Sequence, residues 1–173
     1  SLLLSPRTPV SAQNLPTKLS DEQFWRMVTE YSEPTGFFPS ENFSSNEVGA
    51  SWIIPTLLRT ARVNGVYLGV GPEQNFSYIA ALQPKLAFIV DIRRQAMLQQ
   101  LYYKMLFEVA PDRVGFLSLL FARHRPARLP KDATISEILA AFDQIPANDG
   151  LYQQTLNAVL ERLLYTHRFE LSL

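Results

Sequence analysis

The chain has 173 residues, 47% hydrophobic and 18% charged, enough for a domain with its own core and too apolar for a disordered one. Sixteen basic residues balance sixteen acidic ones, so no global field recruits nucleic acid or an anionic membrane. Having no cysteine excludes disulfides and thiolate chemistry, and two histidines, His124 and His167, are too few for a histidine-based metal site without several carboxylates.

Residues 1–19 hold three prolines and no periodicity and read as an arm. The alternative is an export-signal remnant over Ser1–Ala12, since Val10-Ser11-Ala12 carries small residues where a signal peptidase cuts; without such a signal the compartment is the cytoplasm. No run approaches the roughly 20 apolar residues of a membrane span.

Ser20-Asp21-Glu22-Gln23 is a capping box, and Phe24, Met27, Val28 and Tyr31 then recur at helical spacing. The helix should end before Pro34 and give way to an aromatic loop with Phe37, Phe38 and Phe43, either packed on the core or serving as a lid over a flat base. Ser44-Ser45-Asn46-Glu47 is a second capping box, predicting a helix to about Arg62, bent at Pro55 and stopped by Asn64-Gly65.

Val66 to Val70 is a short apolar strand, Glu73 to Leu82 a helix ended by Pro84, and Leu86 to Val90 a second strand. Continuous apolar runs of this kind belong to strands covered on both faces, as in parallel sheets. The unit is βαβ with a right-handed crossover, so the fold class is α/β, a partial Rossmann-type parallel sheet with extensive flanking helices. Further helices are expected from about Arg93 to Val109, from Pro111 to Ala122, from the Thr134 cap to Phe142, and after Asp149-Gly150 with Leu156, Val159, Leu160, Leu163 and Leu164 inward. Phe169, Leu171 and Leu173 alternate with polar residues and suggest a strand. A doubly wound sheet normally has more than two strands. The expectation is therefore one domain over residues 20–173, the first part of a longer protein, with the leucine-rich second half pairing with that remainder or with a second copy.

The strongest constellation is the first βα turn. Gly69 and Gly71 allow a sharp turn and close approach of a ligand, and the helix beginning near Glu73, with Asn75 in its first turn, directs free N–H groups at that spot. Asp91 ends the second strand, where an acidic residue accepts ribose hydroxyls in nucleoside sites, or caps the helix that follows. Arg93 and Arg94 come next and could hold a 2′-phosphate, although Asp91 would repel it. Asn46 and Glu47 could close over a ligand's amino group, but Glu47 also has its capping role. The basic cluster Arg123, His124, Arg125, Arg128 and Lys131 lacks interleaved aromatics and reads as a solvated loop, and both histidines read as surface residues.

Val66-Tyr67-Leu68-Gly69-Val70-Gly71-Pro72 followed by Phe88-Ile89-Val90-Asp91 resembles the opening of class I S-adenosylmethionine-dependent methyltransferases. The stretch from Leu19 to about Glu108 is similar to a group of bacterial proteins with a methyltransferase-like core. The resemblance implies S-adenosylmethionine as cofactor, with the glycine loop (Gly69, Gly71) around its methionine part and Asp91 on its ribose. The family usually has an acidic residue where Gly69 stands and a third glycine near Glu73; this chain has neither, and Glu73 would take over the carboxylate. No acceptor-site motif and no catalytic residue are assigned. Two further readings stand beside it: an NAD(P)-binding oxidoreductase domain, and a non-enzymatic methyltransferase-like fold kept for binding or assembly.

Overall fold

The computed structural model describes residues 16, 18–33, 38–39, 43–45, 49–61 and 65–171. By its internal contacts the chain forms two compact units, Ser1–Met97 and Leu98–Leu173.

In the first unit, α1 spans Asp21–Tyr31 with the expected capping box: the Ser20 side chain accepts from the Gln23 N–H and the Gln23 side chain accepts from the Ser20 N–H. The expected helix from Ser44 to Arg62 is shorter. It consists of a 3₁₀ turn, Ala50–Ile53, followed by α2, Ile54–Thr60. Pro55 therefore bends nothing. It lies in the first turn of α2, where no i−4 acceptor awaits the missing N–H. The Asn46-Glu47 half of the second capping box lies outside the described residues.

Strands β1 (Val66–Val70) and β2 (Leu86–Val90) pair in parallel, Val66 opposite Leu86 and Val70 opposite Val90, with α3 (Gln74–Leu82) as the crossover. Gln83 closes α3 in the left-handed conformation at φ 46°, its N–H on the Ile79 carbonyl, and Pro84 prevents continuation. The two strands form the whole sheet among the described residues. The expectation of cover on both faces fails for β1. Val66, Leu68 and Val70 project to one side and are 52%, 70% and 69% exposed. An apolar run reports what a strand tolerates; here no layer among the described residues covers that row.

α4 runs over Arg94–Val109, and its C-terminal part, with Leu101, Met105 and Leu106 buried, belongs to the second unit. That unit continues with α5 (Arg113–Phe121), α6 (Ile135–Asp143) and α7 (Asp149–Glu161), which passes into a π-helical turn, Arg162–Thr166. Asp112, Thr134 and Asn148 cap the three helices through their side chains. The core gathers Ala133, Ile138 and Phe142, with Val114, Leu117, Phe121 and Leu129 packed on it. The Phe121 and Phe142 rings meet edge to face at 5.7 Å.

Two expectations for this unit change. Residues 169–171 form no strand; Phe169 turns inward to 2% exposure, its N–H on the Leu163 carbonyl. His167 is no surface residue. Its side chain is 12% exposed, Nε2 lies 2.7 Å from Glu108 Oε2, and the ring stacks on Phe169. Burial alone would raise the Glu108 pKa, but hydrogen bonds from Lys104 and His167 outweigh it and hold the carboxyl below its ordinary range. His124 is exposed, as expected.

Candidate functional site at the carboxyl edge of β1 and β2

The parallel pair brings the β1–α3 loop beside the end of β2: the Gly71 N–H donates to the Val90 carbonyl at 3.0 Å. Gly69, Gly71, Glu73, Asn75, Asp91 and Arg93 thus share the carboxyl edge, where open α/β sheets place ligands.

Gly71 has φ +85°, a conformation that disfavours any side chain, and a Cβ built there meets no heavy atom within 4 Å. Gly69 is different. A Cβ at Gly69 would lie 2.0 Å from Asn75 Oδ1 and 2.6 Å from Tyr67 Cε1. The room it provides is taken up by the chain itself: the Tyr67 hydroxyl donates to Asn75 Oδ1 at 2.6 Å, across the glycine. The Asn75 Nδ2 amide donates to the carbonyls of Val70 (3.1 Å), Gly71 (3.4 Å) and Pro72 (2.8 Å). Asn75, 2% exposed, therefore satisfies the backbone of a loop with no regular partner. Burial, and then the neighbouring Tyr78, raise the Tyr67 pKa, which keeps the donor protonated.

Glu73 is the N-cap of α3, yet its side chain makes no capping bond. Oε1 accepts from the Ser45 N–H at 2.8 Å. Oε2 is buried and has no partner among the described residues, and the same holds for Oε1 of Gln74. Two acceptor oxygens at the start of α3, each out of water, call for a donor that the described residues do not supply.

Asp91 is engaged locally. Oδ1 accepts from the Arg93 backbone N–H (2.9 Å) and from Nε (2.8 Å), and Oδ2 accepts from Nη2 (2.8 Å). The guanidinium also lies 4.9 Å from the centroid of the Phe43 ring. The side-chain hydrogen bond from Arg93 outweighs burial and lowers the Asp91 pKa. A carboxylate offers about four lone-pair sites; Arg93 takes three. The Ile92 backbone N–H also draws on this carboxylate, so a two-hydroxyl grip on a ribose has to displace the arginine.

Asp91→Ala removes the turn that starts α4 and is expected to cost about 1–2 kcal/mol. Because the folded pKa is depressed, the contribution is present above the unfolded value near 3.9 and is lost as pH falls through the folded pKa. Thermal melts from pH 7 down to pH 2 should therefore show wild type and variant converging in acid; a constant gap would contradict the assignment.

Asn46 and Glu47 lie outside the described residues, as does Phe37 of the aromatic loop. Phe38 is 43% exposed and Phe43 carries the Arg93 stack. Sequence reasoning missed Tyr67 and Ser45; the two-residue spacing of Tyr67 and Gly69 on one strand face was the available signal. Among the described residues no cluster of His, Asp and Glu could hold a metal, and no helix is long and apolar enough to cross a membrane.

A parallel βαβ unit with a glycine-containing loop at its carboxyl edge, together with further helices, defines a mixed α/β protein with a candidate small-molecule site. Residues 42–168 match the family described as Domain of unknown function (DUF7790), and the chain belongs to that family. Comparison with curated proteins and with solved structures gives no match.

Proposed function

We propose that the carboxyl edge of β1 and β2 binds a nucleoside-type cofactor, with S-adenosylmethionine the first candidate, in a domain of the methyltransferase-like Rossmann type whose methyl acceptor is open. The observation that carries this reading is the buried Glu73 Oε2 without a donor, two residues from the open Gly71. S-Adenosylmethionine brings an ammonium group, which supplies the missing donor as a charge-assisted hydrogen bond. Asp91 would accept a ribose hydroxyl by releasing part of its grip on Arg93, and the Arg93–Phe43 stack would form a flat wall beside it. The uncovered row Val66, Leu68 and Val70 is what a helical layer on that face of a Rossmann sheet would bury. The bound cofactor would supply an electrophilic methyl group; the residues named here bind and orient it, and methyl transfer depends mainly on such alignment. An NAD(P) site is disfavoured, because Glu73 would repel a pyrophosphate and Asp91 already consumes Arg93.

Isothermal titration with S-adenosylmethionine and S-adenosylhomocysteine tests the reading. Binding is expected, weakened about tenfold in Glu73→Gln, a variant that keeps an acceptor for the Ser45 N–H. No heat from either ligand at millimolar concentration, with folded protein, removes the proposal. A second reading, a binding or assembly module without a cofactor, draws support from Asn75 and Tyr67, which satisfy the loop from within.

A further inference from the structure

We propose that a cavity at the start of α5, inside the second unit, is a separate binding site for a small amphipathic carboxylate. The cavity measures about 280 Å³. Its apolar wall is the edge of the unit's core, with Val114, Leu129, Ala133 and Ile138. Its polar rim carries Asp112, Arg113, Arg125 and Lys131.

The charges on that rim do not cancel. Asp112 is used up: its Oδ1 accepts the Gly115 N–H that caps α5, and Arg125 grips both oxygens at 3.1 and 2.8 Å. These bonds, that from Arg125 foremost, hold the Asp112 carboxyl below its ordinary range. Arg113 donates to the Ala133 carbonyl, a neutral acceptor that fixes the guanidinium without neutralising it. Lys131 has neither a hydrogen bond nor an ion pair among the described residues, and Asp132, its sequence neighbour, does not line the cavity.

Arg113 and Lys131 thus leave two positive charges over an apolar hollow. An anion alone would leave the hollow unfilled, and an apolar molecule alone would leave the cations to water. A carboxylate with a short hydrocarbon body satisfies both. At about 30 Å³ for each water-sized group, the volume admits a ligand of roughly ten non-hydrogen atoms. The basic loop 123–132, expected to be merely solvated, thus lines a cavity through Arg125, Leu129 and Lys131.

Octanoate, of about that size, is the probe, with 1-octanol and inorganic phosphate as its two halves, titrated calorimetrically into the full chain. Octanoate should bind in the millimolar range or better. Octanol and phosphate should each bind at least about tenfold more weakly, and Lys131→Glu, an exposed position with no partner to lose, should weaken octanoate about tenfold. Arg113→Gln, checked by circular dichroism for retained fold, should do the same. Absence of octanoate binding, equal binding of octanol or phosphate, or unchanged affinity in Lys131→Glu each overturns the proposal.

Discussion

Gly69→Ala should cost about 3 kcal/mol or more, the largest effect of any single methyl addition at the candidate site. The new Cβ would sit 2.0 Å from Asn75 Oδ1 and 2.6 Å from a ring carbon of Tyr67, far inside contact distance. Neither neighbour can yield cheaply. Asn75 is fixed by three donated bonds and one accepted bond, and Tyr67 belongs to a paired strand. Relief requires breaking the Tyr67–Asn75 bond and releasing the loop, so packing strain and unpaired polar groups add. Chemical denaturation should show a lower midpoint with nearly unchanged slope. A melting temperature equal to wild type, with ligand binding abolished, would instead mean that the space above Gly69 belongs to a ligand.

Asn75→Ala is expected to cost about 2–4 kcal/mol. The substitution deprives the Val70 and Pro72 carbonyls of their amide donor, leaves the Tyr67 hydroxyl without its acceptor, and opens a hole at a 2% exposed position. Asn75→Asp separates the two contributions. It keeps the volume but turns the donor amide into an oxygen facing carbonyl oxygens, so it should be at least as damaging near neutral pH and partly relieved in acid, where a protonated carboxyl donates again. Equal stability of Asn75→Asp and wild type at pH 7 would show that the three donated bonds contribute nothing.

The βαβ unit was legible because its signals are local: apolar runs bounded by Gly65, Gly71-Pro72 and Pro84 give β1 and β2 with the observed limits and α3 to within one residue, Glu73 being its N-cap. The capping box at Ser20 and the cap at Thr134 were legible for the same reason, since donor and acceptor lie three residues apart; that Glu137 completes a box at Thr134 is seen in the fold. What the sequence hid depends on contacts across the fold. Gly69 reads equally as room for a ligand or room for Tyr67 and Asn75, and only the packing decides which side chains enter it. Asp91 reads as a ribose acceptor until Arg93, two residues on, curls back to take three of its lone pairs. The alternation at Phe169 to Leu173 suggested a strand, but pairing needs a partner, and Phe169 finds burial instead. The unpartnered oxygens of Glu73 and Gln74 leave no trace in the sequence, because burial without a donor is a property of the folded surroundings.

The location of the site is tested most directly by backbone amide chemical-shift mapping with S-adenosylhomocysteine. Perturbations are expected to concentrate at the amides of residues 69–71, 73–75 and 91–93, with Ser45 included through its N–H bond to Glu73, and to need about tenfold more ligand in Glu73→Gln. Saturating binding that leaves those amides unmoved and shifts residues elsewhere would contradict this location.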